Sequence, residues 1–461
     1  MTQERDAFQW FRHPEAHAYV SGLLEQLVAA LPPARILEAE LMSRTSSQLV
    51  DWLDHLVLVG GGTLRGEIVD LGFEPEGVPA ESDDTVYHHP GAILPRLVLR
   101  RTDAADPGTP LVAAVQVEDA AGFLMTHQVA VPIEGSPLSP YRRARVWEVA
   151  GRELWVVERR GHDAYLPVQM PGDYPGRYLN ALELWSTRPR QFDDLYAGME
   201  QTLHLAQSLV DDLGRDTAAW IAFSAERSYW QRRNWAGQVQ KSRQDSLGLG
   251  WANHDHHTFR SSREHFPVLI QILEIFGFHP RERFYAGAEA GWGAQVMEQP
   301  ACRFAVFADV DLSPDEAEGD FAHRGLAPRK ELGTVGLWCA LHGDSMLAAG
   351  LHHLAGRLDF DVVTAALAEL GVPMMRPFSE FPYLQQAFTR GERWSVAEAR
   401  LERLVAAGQI TPDQRGRFAS DGAVGSHLEN IQRGEGFRGF NQQTVSDIIR
   451  RTDPRVEAGT G

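Results

Sequence analysis

The segment Trp251-Ala-Asn-His-Asp-His-His-Thr-Phe-Arg260 gathers imidazoles and a guanidinium in one β-prone run. Side chains alternate along a strand, so His254, His256, Thr258 and Arg260 are predicted on one face and His257 on the other. A face that shows His256 to a metal would also show Arg260 to whatever binds that metal, and a guanidinium is the natural clamp for a carboxylate. Two later segments add ligand types. His352 and His353 are adjacent, and strand phase decides which of them faces a cavity. Glu429 lies in Ser426-His-Leu-Glu-Asn-Ile-Gln-Arg-Gly434, with Glu435 as a competing carboxylate. Two imidazoles and one carboxylate make a facial triad that leaves open positions on Fe(II); imidazole also suits Zn and Ni, and carboxylate suits Mn.

Other polar residues have quieter readings. His254 and His257 flank the candidate ligand as outer donors or as histidines at the edge of the core. Arg433 fits an ion-pair partner as well as a substrate group. His342-Gly-Asp344 sits in a glycine-punctuated turn and is read as structural. His88, His89 and His127 raise a second metal site, but the pair His88-His89 has no third ligand near it in sequence.

The elements that must position these residues repeat. A strand over 253–260 precedes a helix over 262–276, with Ser261 or Ser262 as its cap. The helix stops at Gly277-Phe-His-Pro280, and strands follow over 294–298 and 302–310. The order returns as a strand over 349–354, a helix over 361–370, the exit Gly371-Val-Pro373 and a strand over 383–389. Such repetition predicts a βαβββ unit used at least twice, with curved sheets around a cavity. Leu71-Gly-Phe-Glu-Pro75 and Tyr87-His-His-Pro90 echo it in the N-terminal half.

Residues 1–240 read as an α+β region, a candidate degenerate module, lid or dimerisation element, and 241–461 as the metal-binding domain. In the first region helices are predicted over 17–31, 46–58, 195–213 and 218–233. Strands are predicted over 95–100, 111–117, 127–132 and 145–159, with a polar loop over 102–110. The basic and aromatic run 228–235 reads as a packing strip between domains.

The chain has 461 residues and a formal net charge of −18, which argues against nucleic acid or an anionic membrane as partner. Its two cysteines, Cys302 and Cys339, form no disulfide framework. The N-terminus lacks a signal pattern, no apolar run is long enough to span a bilayer, and a cytoplasmic location is expected.

These segments resemble the vicinal-oxygen-chelate fold, and within it the 2-oxoadipate dioxygenase/decarboxylase (hydroxyglutarate synthase) family. That family is similar in a first-strand His-x-x-x-Arg followed by a helix ending Gly-x-x-Pro, here His256, Arg260 and Gly277 to Pro280. Its second module opens Asn-His-Leu, then Leu-Asp-x-Asp; this chain has His352-His353-Leu354 and Leu358-Asp-Phe-Asp361, so the matching ligand is His353. Its third ligand lies in Glu-x-x-Gln-Arg-Gly, here Glu429 to Gly434, and its active-site glutamine resembles Gln386 near Phe388. The resemblance covers the C-terminal half, from Gly248 to about Phe440. It implies a fold of class α+β with paired βαβββ modules, Fe(II) held by His256, His353 and Glu429, and Arg260 and Gln386 as substrate-side residues. Phe388 and Phe437 are expected walls that exclude water. The implied partners are a 2-oxo acid and O2, and a homodimer is compatible with an N-terminal dimerisation element. A metal-dependent lyase or isomerase, or a noncatalytic small-molecule binder, stands as the alternative on the same fold.

Overall fold

The structure, a computed structural model, describes residues 10–77, 84–101, 109–441 and 452–456. Seven strands form the first sheet: β1 (Leu53–Gly60), β2 (Glu74–Glu76), β3 (Thr85–His88), β4 (Arg96–Arg101), β5 (Thr109–Gln116), β6 (Tyr141–Val149) and β7 (Arg152–Arg159). Their order is β2-β3-β4-β1-β5-β7-β6, with β1 parallel to β4 and β5 parallel to β7. The helix Gly62–Asp70 joins β1 to β2, so the first four strands are a βαβββ module. The helix Ala120–Thr126 joins β5 to β6 in a second module that is one strand short. The two modules meet where β1 runs antiparallel to β5.

The second sheet has nine strands: β8 (His254–Arg260), β9 (His279–Tyr285), β10 (Trp292–Gln299), β11 (Phe304–Asp311), β12 (His353–Arg357), β13 (Ser379–Phe381), β14 (Leu384–Phe388), β15 (Glu392–Trp394) and β16 (Ala423–Arg433). The order β13-β14-β16-β12-β8-β11-β10-β9 is two βαβββ modules joined through their first strands, β8 antiparallel to β12, with β15 beside β16. The module helices are Phe266–Ile275 and Phe360–Glu369. The second is capped by Asp359, which accepts from the Val362 amide. Helices Glu398–Ala406 and Pro412–Asp421 are inserted before β16. This is the vicinal-oxygen-chelate arrangement.

Several elements depart from the sequence reading. The helix expected over 46–58 is a short turn at Leu49–Trp52 followed by β1. That strand is buried on both faces, so its apolar run has no period to tell strand from helix. No strand forms over 127–132; the preceding helix ends at His127 and Gln128 turns with φ 55°. The run 145–159 is a hairpin that reverses at Ala150-Gly151, where φ is 51° and 77°. Positive φ at both central residues is the turn whose twist matches paired strands. The loop expected over 102–110 falls outside the described residues up to 108; Thr109 and Pro110 already belong to β5. The helix expected from Ser262 begins at Phe266, because Ser261 and Ser262 donate their hydroxyls to the Asp344 carboxylate instead of capping. Strand β9, which opens at His279-Pro280, is a further element that the sequence pattern does not predict.

Helices Tyr174–Thr187, Leu195–Leu213 and Arg215–Gln231 pack on the outer face of the second sheet in one core with Phe259, Phe266, Phe276 and Phe304. Trp220 stacks on Phe304 at 5.4 Å between centroids. The strip 228–235 packs as expected: Tyr229 donates to the Ala348 carbonyl, and Arg233 donates to the Ala349 carbonyl and lies 3.8 Å over the Trp394 ring. Among the described residues no helix is long and apolar enough to cross a membrane.

Candidate metal centre

Strands β8, β12 and β16 are neighbours, and each contributes one side chain to a single point. His256, His353 and Glu429 are buried, and their ligand atoms all lie within 4.8 Å of one another. Both imidazoles present Nε2 to the same carboxylate oxygen: His256 at 3.1 Å and His353 at 3.0 Å from Glu429 Oε2. The donor set fits an ion. Donors cis to each other at roughly 2.1 Å from a first-row metal stand about 3 Å apart.

Each ligand is oriented by a further side chain. His256 Nδ1 lies 3.0 Å from Asp255 Oδ1, so its N–H donates there and Nε2 is left as the free donor. Asp255 is gripped by Arg433 through Nε at 2.8 Å and Nη2 at 3.0 Å. Gln386 donates its amide to Glu429 Oε1 at 2.8 Å, which leaves Oε2 toward the histidines. His353 Nδ1 meets His352 Nδ1 at 3.0 Å, and Thr258 Oγ1 lies 2.8 Å from His353 Nε2. Thus His353 is the inner histidine and His352 its support.

The electrostatics favour a cation at this point. Burial works against a charged His256, yet Glu429 and Asp255 raise it to about 9. Burial pushes Glu429 up, and His256 and His353 outweigh this and bring it to about 2. Asp255 is likewise held well below the ordinary carboxylate range, against burial, by Arg433 and His256. His353 is lowered by burial, the Glu429 contact opposing.

Above the triad is a cavity of about 50 Å³ walled by Phe284, Trp292, Phe307, Phe378, Phe388 and Phe440. Asp309 and Asn441 are its polar edge. Arg260 shares the strand with His256, but its Nε faces Asp309 Oδ2 at 3.6 Å and its guanidinium lies 5.6 Å over Trp338. Asp309, not Arg260, bounds the cavity. Burial pushes Asp309 up to about 7 even against the Arg260 charge. The sequence reading missed Asp309; the available signal was an acid inside the apolar run Phe304–Asp311, paired by register with Arg260.

Other expectations are sorted by the same geometry. His254 does not share the His256 side: its ring lies against His257 and Phe304, where the β8–β12 register skips. His257 is buried against Phe223 and Phe304. Phe388 is a wall, whereas Phe437 packs on Tyr383 outside the cavity. Glu435, with φ 53°, pairs with Arg12. Asp344 ties Ser261, Ser262 and His265 together, a structural role. His88, His89 and His127 do not converge. His127 bonds the Leu247 carbonyl and His89 packs on His13 and Phe73. Among the described residues, three or more metal-capable side chains meet only at His256, His353 and Glu429.

The N-terminal sheet carries the matching positions but only the first of the three side chains. Asp54 and His55, 2.7 Å apart, repeat Asp255 and His256 on the first strand of its module. His353 pairs with Thr258, two residues past His256; two residues past His55 is Val57, which pairs with Val112. Glu429 pairs with Ala355, two past His353; two past Val112 is Ala114, which pairs with Trp155. Val57, Val86, Val98, Val112 and Tyr165 pack together there, with Trp155 against them.

No protein-family profile matches the chain, and no curated protein matches it in sequence. Among solved structures it is similar to a mutant 4-hydroxymandelate synthase from Streptomyces coelicolor, at 14% identity over 87% of this chain and 97% of that one, with a TM-score of 0.27. It is also similar to a xylose isomerase-like TIM barrel/4-hydroxyphenylpyruvate dioxygenase fusion protein, at 12% identity over 89% of this chain and 53% of that one, TM-score 0.23. A methylmalonyl-CoA epimerase from Mycobacterium tuberculosis matches 24% of this chain and 89% of its own at 18% identity, TM-score 0.20. These scores are low, and the module assignment stands on strand order and register.

Proposed function

We propose that the protein is a nonheme Fe(II) dioxygenase that converts a 2-oxo acid and O2 into a hydroxy acid one carbon shorter and CO2. The observation that carries this reading is the convergence of His256, His353 and Glu429 at the floor of an aromatic cavity. The family resemblance carried by His256, Arg260, His353 and Glu429 points the same way. Fe(II) in such a set supplies open positions for a chelating 2-oxo acid and for O2. The overall reaction balances without a further reductant.

The chain's own residues do the rest. Asp255 and Gln386 fix the ligand atoms before substrate arrives. The aromatic walls exclude water and pack the remainder of the substrate, which favours an apolar side chain over a second carboxylate. Arg260 holds the substrate carboxylate once Asp309, protonated or displaced, yields its place. A cavity of about 50 Å³ is smaller than such a substrate, so wall side chains must move for it to enter.

The test is Fe(II) reconstitution followed by an oxygen electrode with a panel of 2-oxo acids, apolar and dicarboxylic. O2 uptake matched by CO2 release supports the reading. Turnover of a 2-oxo acid without O2 uptake would assign the site to a lyase or isomerase, and no metal uptake would remove the enzyme reading.

A further inference from the structure

A larger cavity, about 420 Å³, lies between the two halves and apart from the triad; its walls include Asp54, Arg96, His254, Arg303 and Arg357. Its volume is that of a small-metabolite site. The charges on its wall are unevenly matched. Asp54 is already bound bidentately by Arg159, Nε to Oδ1 at 2.6 Å and Nη2 to Oδ2 at 2.9 Å. Arg303 adds a second guanidinium to the same carboxylate, at 2.6 Å, and donates Nη2 to the Tyr165 hydroxyl at 3.2 Å, while its buried Nε has no partner. Asp255 repeats the pattern. Arg433 grips it bidentately, and Arg357 stands beside it with Nε 3.6 Å away and unbonded. The bond that Arg357 makes, to the His254 carbonyl, is 3.5 Å long.

Glu76 and Glu298, also on the wall, are neutralised by Arg96 and Arg438. Asp51 opposes an anion, but it is one carboxylate, and Arg357 is among the charges that act on it. Arg303, with φ 56°, closes the hairpin turn between β10 and β11, which sets where its side chain leaves the backbone.

We propose that this cavity binds a small dianion, a dicarboxylate or a phosphate, between Arg303 and Arg357. Two guanidinium groups on the wall of one cavity suit an oxyanion that accepts more than one N–H. Arg303 and Arg357 come from the C-terminal half, and the carboxylate that Arg303 joins, Asp54, comes from the N-terminal half, so an anion on Arg303 sits at the junction of the halves. Occupancy therefore stabilises the fold, and the site is independent of the metal's identity.

The experiment titrates inorganic phosphate and, separately, malonate into the metal-loaded full chain by calorimetry, with melting temperature followed in parallel. The expected result is one saturable site per chain for at least one anion, and a melting temperature that rises with its concentration. Binding should weaken at least 10-fold in Arg303→Met and in Arg357→Met. Phosphate alone or malonate alone identifies the class of the natural ligand. If a methionine variant does not fold, Arg303→Lys and Arg357→Lys keep the charge and lose the fork, and should still weaken binding. No saturable binding of either anion to the unmodified chain overturns the proposal. So does binding that survives the substitutions, which would place the anion at the metal centre.

Discussion

The imidazole of His256 is set up as a ligand because Asp255 takes its other nitrogen, and Asp255 is in place because Arg433 holds it. Outer partners of this kind are typically worth 10–100-fold in metal affinity. Asp255→Asn should therefore weaken metal binding by about 10–100-fold in a chelator competition; unchanged affinity would show that Asp255 serves only the Arg433 pair. Arg260 poses a sharper choice, since it touches Asp309. A carboxylate clamp predicts that Arg260→Lys keeps metal content and melting temperature while turnover of 2-oxo acids falls by about 1–3 kcal/mol in transition-state terms. A mere brace for Asp309 predicts a lower melting temperature with unchanged kcat/KM on the folded fraction. At this scale the sequence was readable where a residue type has few other uses. Histidines in a strand just before a helix stood out. Asp309 did not, because one acid near the end of an apolar strand looks like a solvated strand end.

Elements set the ligand geometry through buried charge as well as through the sheet. Glu226, on the helix Arg215–Gln231, accepts from Arg188 Nη2 at 2.8 Å and Arg190 Nη2 at 2.7 Å. The same two arginines donate to the Met346 and Leu347 carbonyls, in the segment that leads into β12 and His353. Burial alone would raise the Glu226 carboxyl, but Arg188 and Arg190 bring it down to about 2. A carboxylate depressed on folding contributes stability above its ordinary pKa and loses it as pH falls through the folded value. The contribution of Glu226, about 3 kcal/mol, should be full above pH ~4.5 and fade toward pH ~2. Urea unfolding from pH 6 to pH 2.5 should show this slope, and Glu226→Gln should flatten it while lowering stability at neutral pH by about 3–5 kcal/mol. An unchanged slope in the variant would assign acid sensitivity elsewhere. Element boundaries were legible where period and caps agreed, as for the helix Leu195–Leu213. They failed at β1, whose apolar run has no free face, and at β9, which begins at the proline-marked exit of a helix.

At the scale of the whole molecule, one architecture is used twice. Each half joins two modules through antiparallel first strands, β1 with β5 and β8 with β12. In the sequence this survives in the N-terminal half as the exit Leu71-Gly-Phe-Glu-Pro75, the strand end Tyr87-His-His-Pro90 and the pair Asp54-His55, while Val112 and Trp155 stand at the other ligand positions. Exit turns persist because the backbone requires them; ligands persist only where a metal does. Metal content per chain is therefore the most direct measurement of the central claim. Elemental analysis of the Fe(II)-loaded chain should give one ion per chain, and none once His353→Ala or Glu429→Gln removes a ligand from a protein that still melts cooperatively. Two ions per chain, or one ion retained by both folded variants, would contradict a single centre at His256, His353 and Glu429.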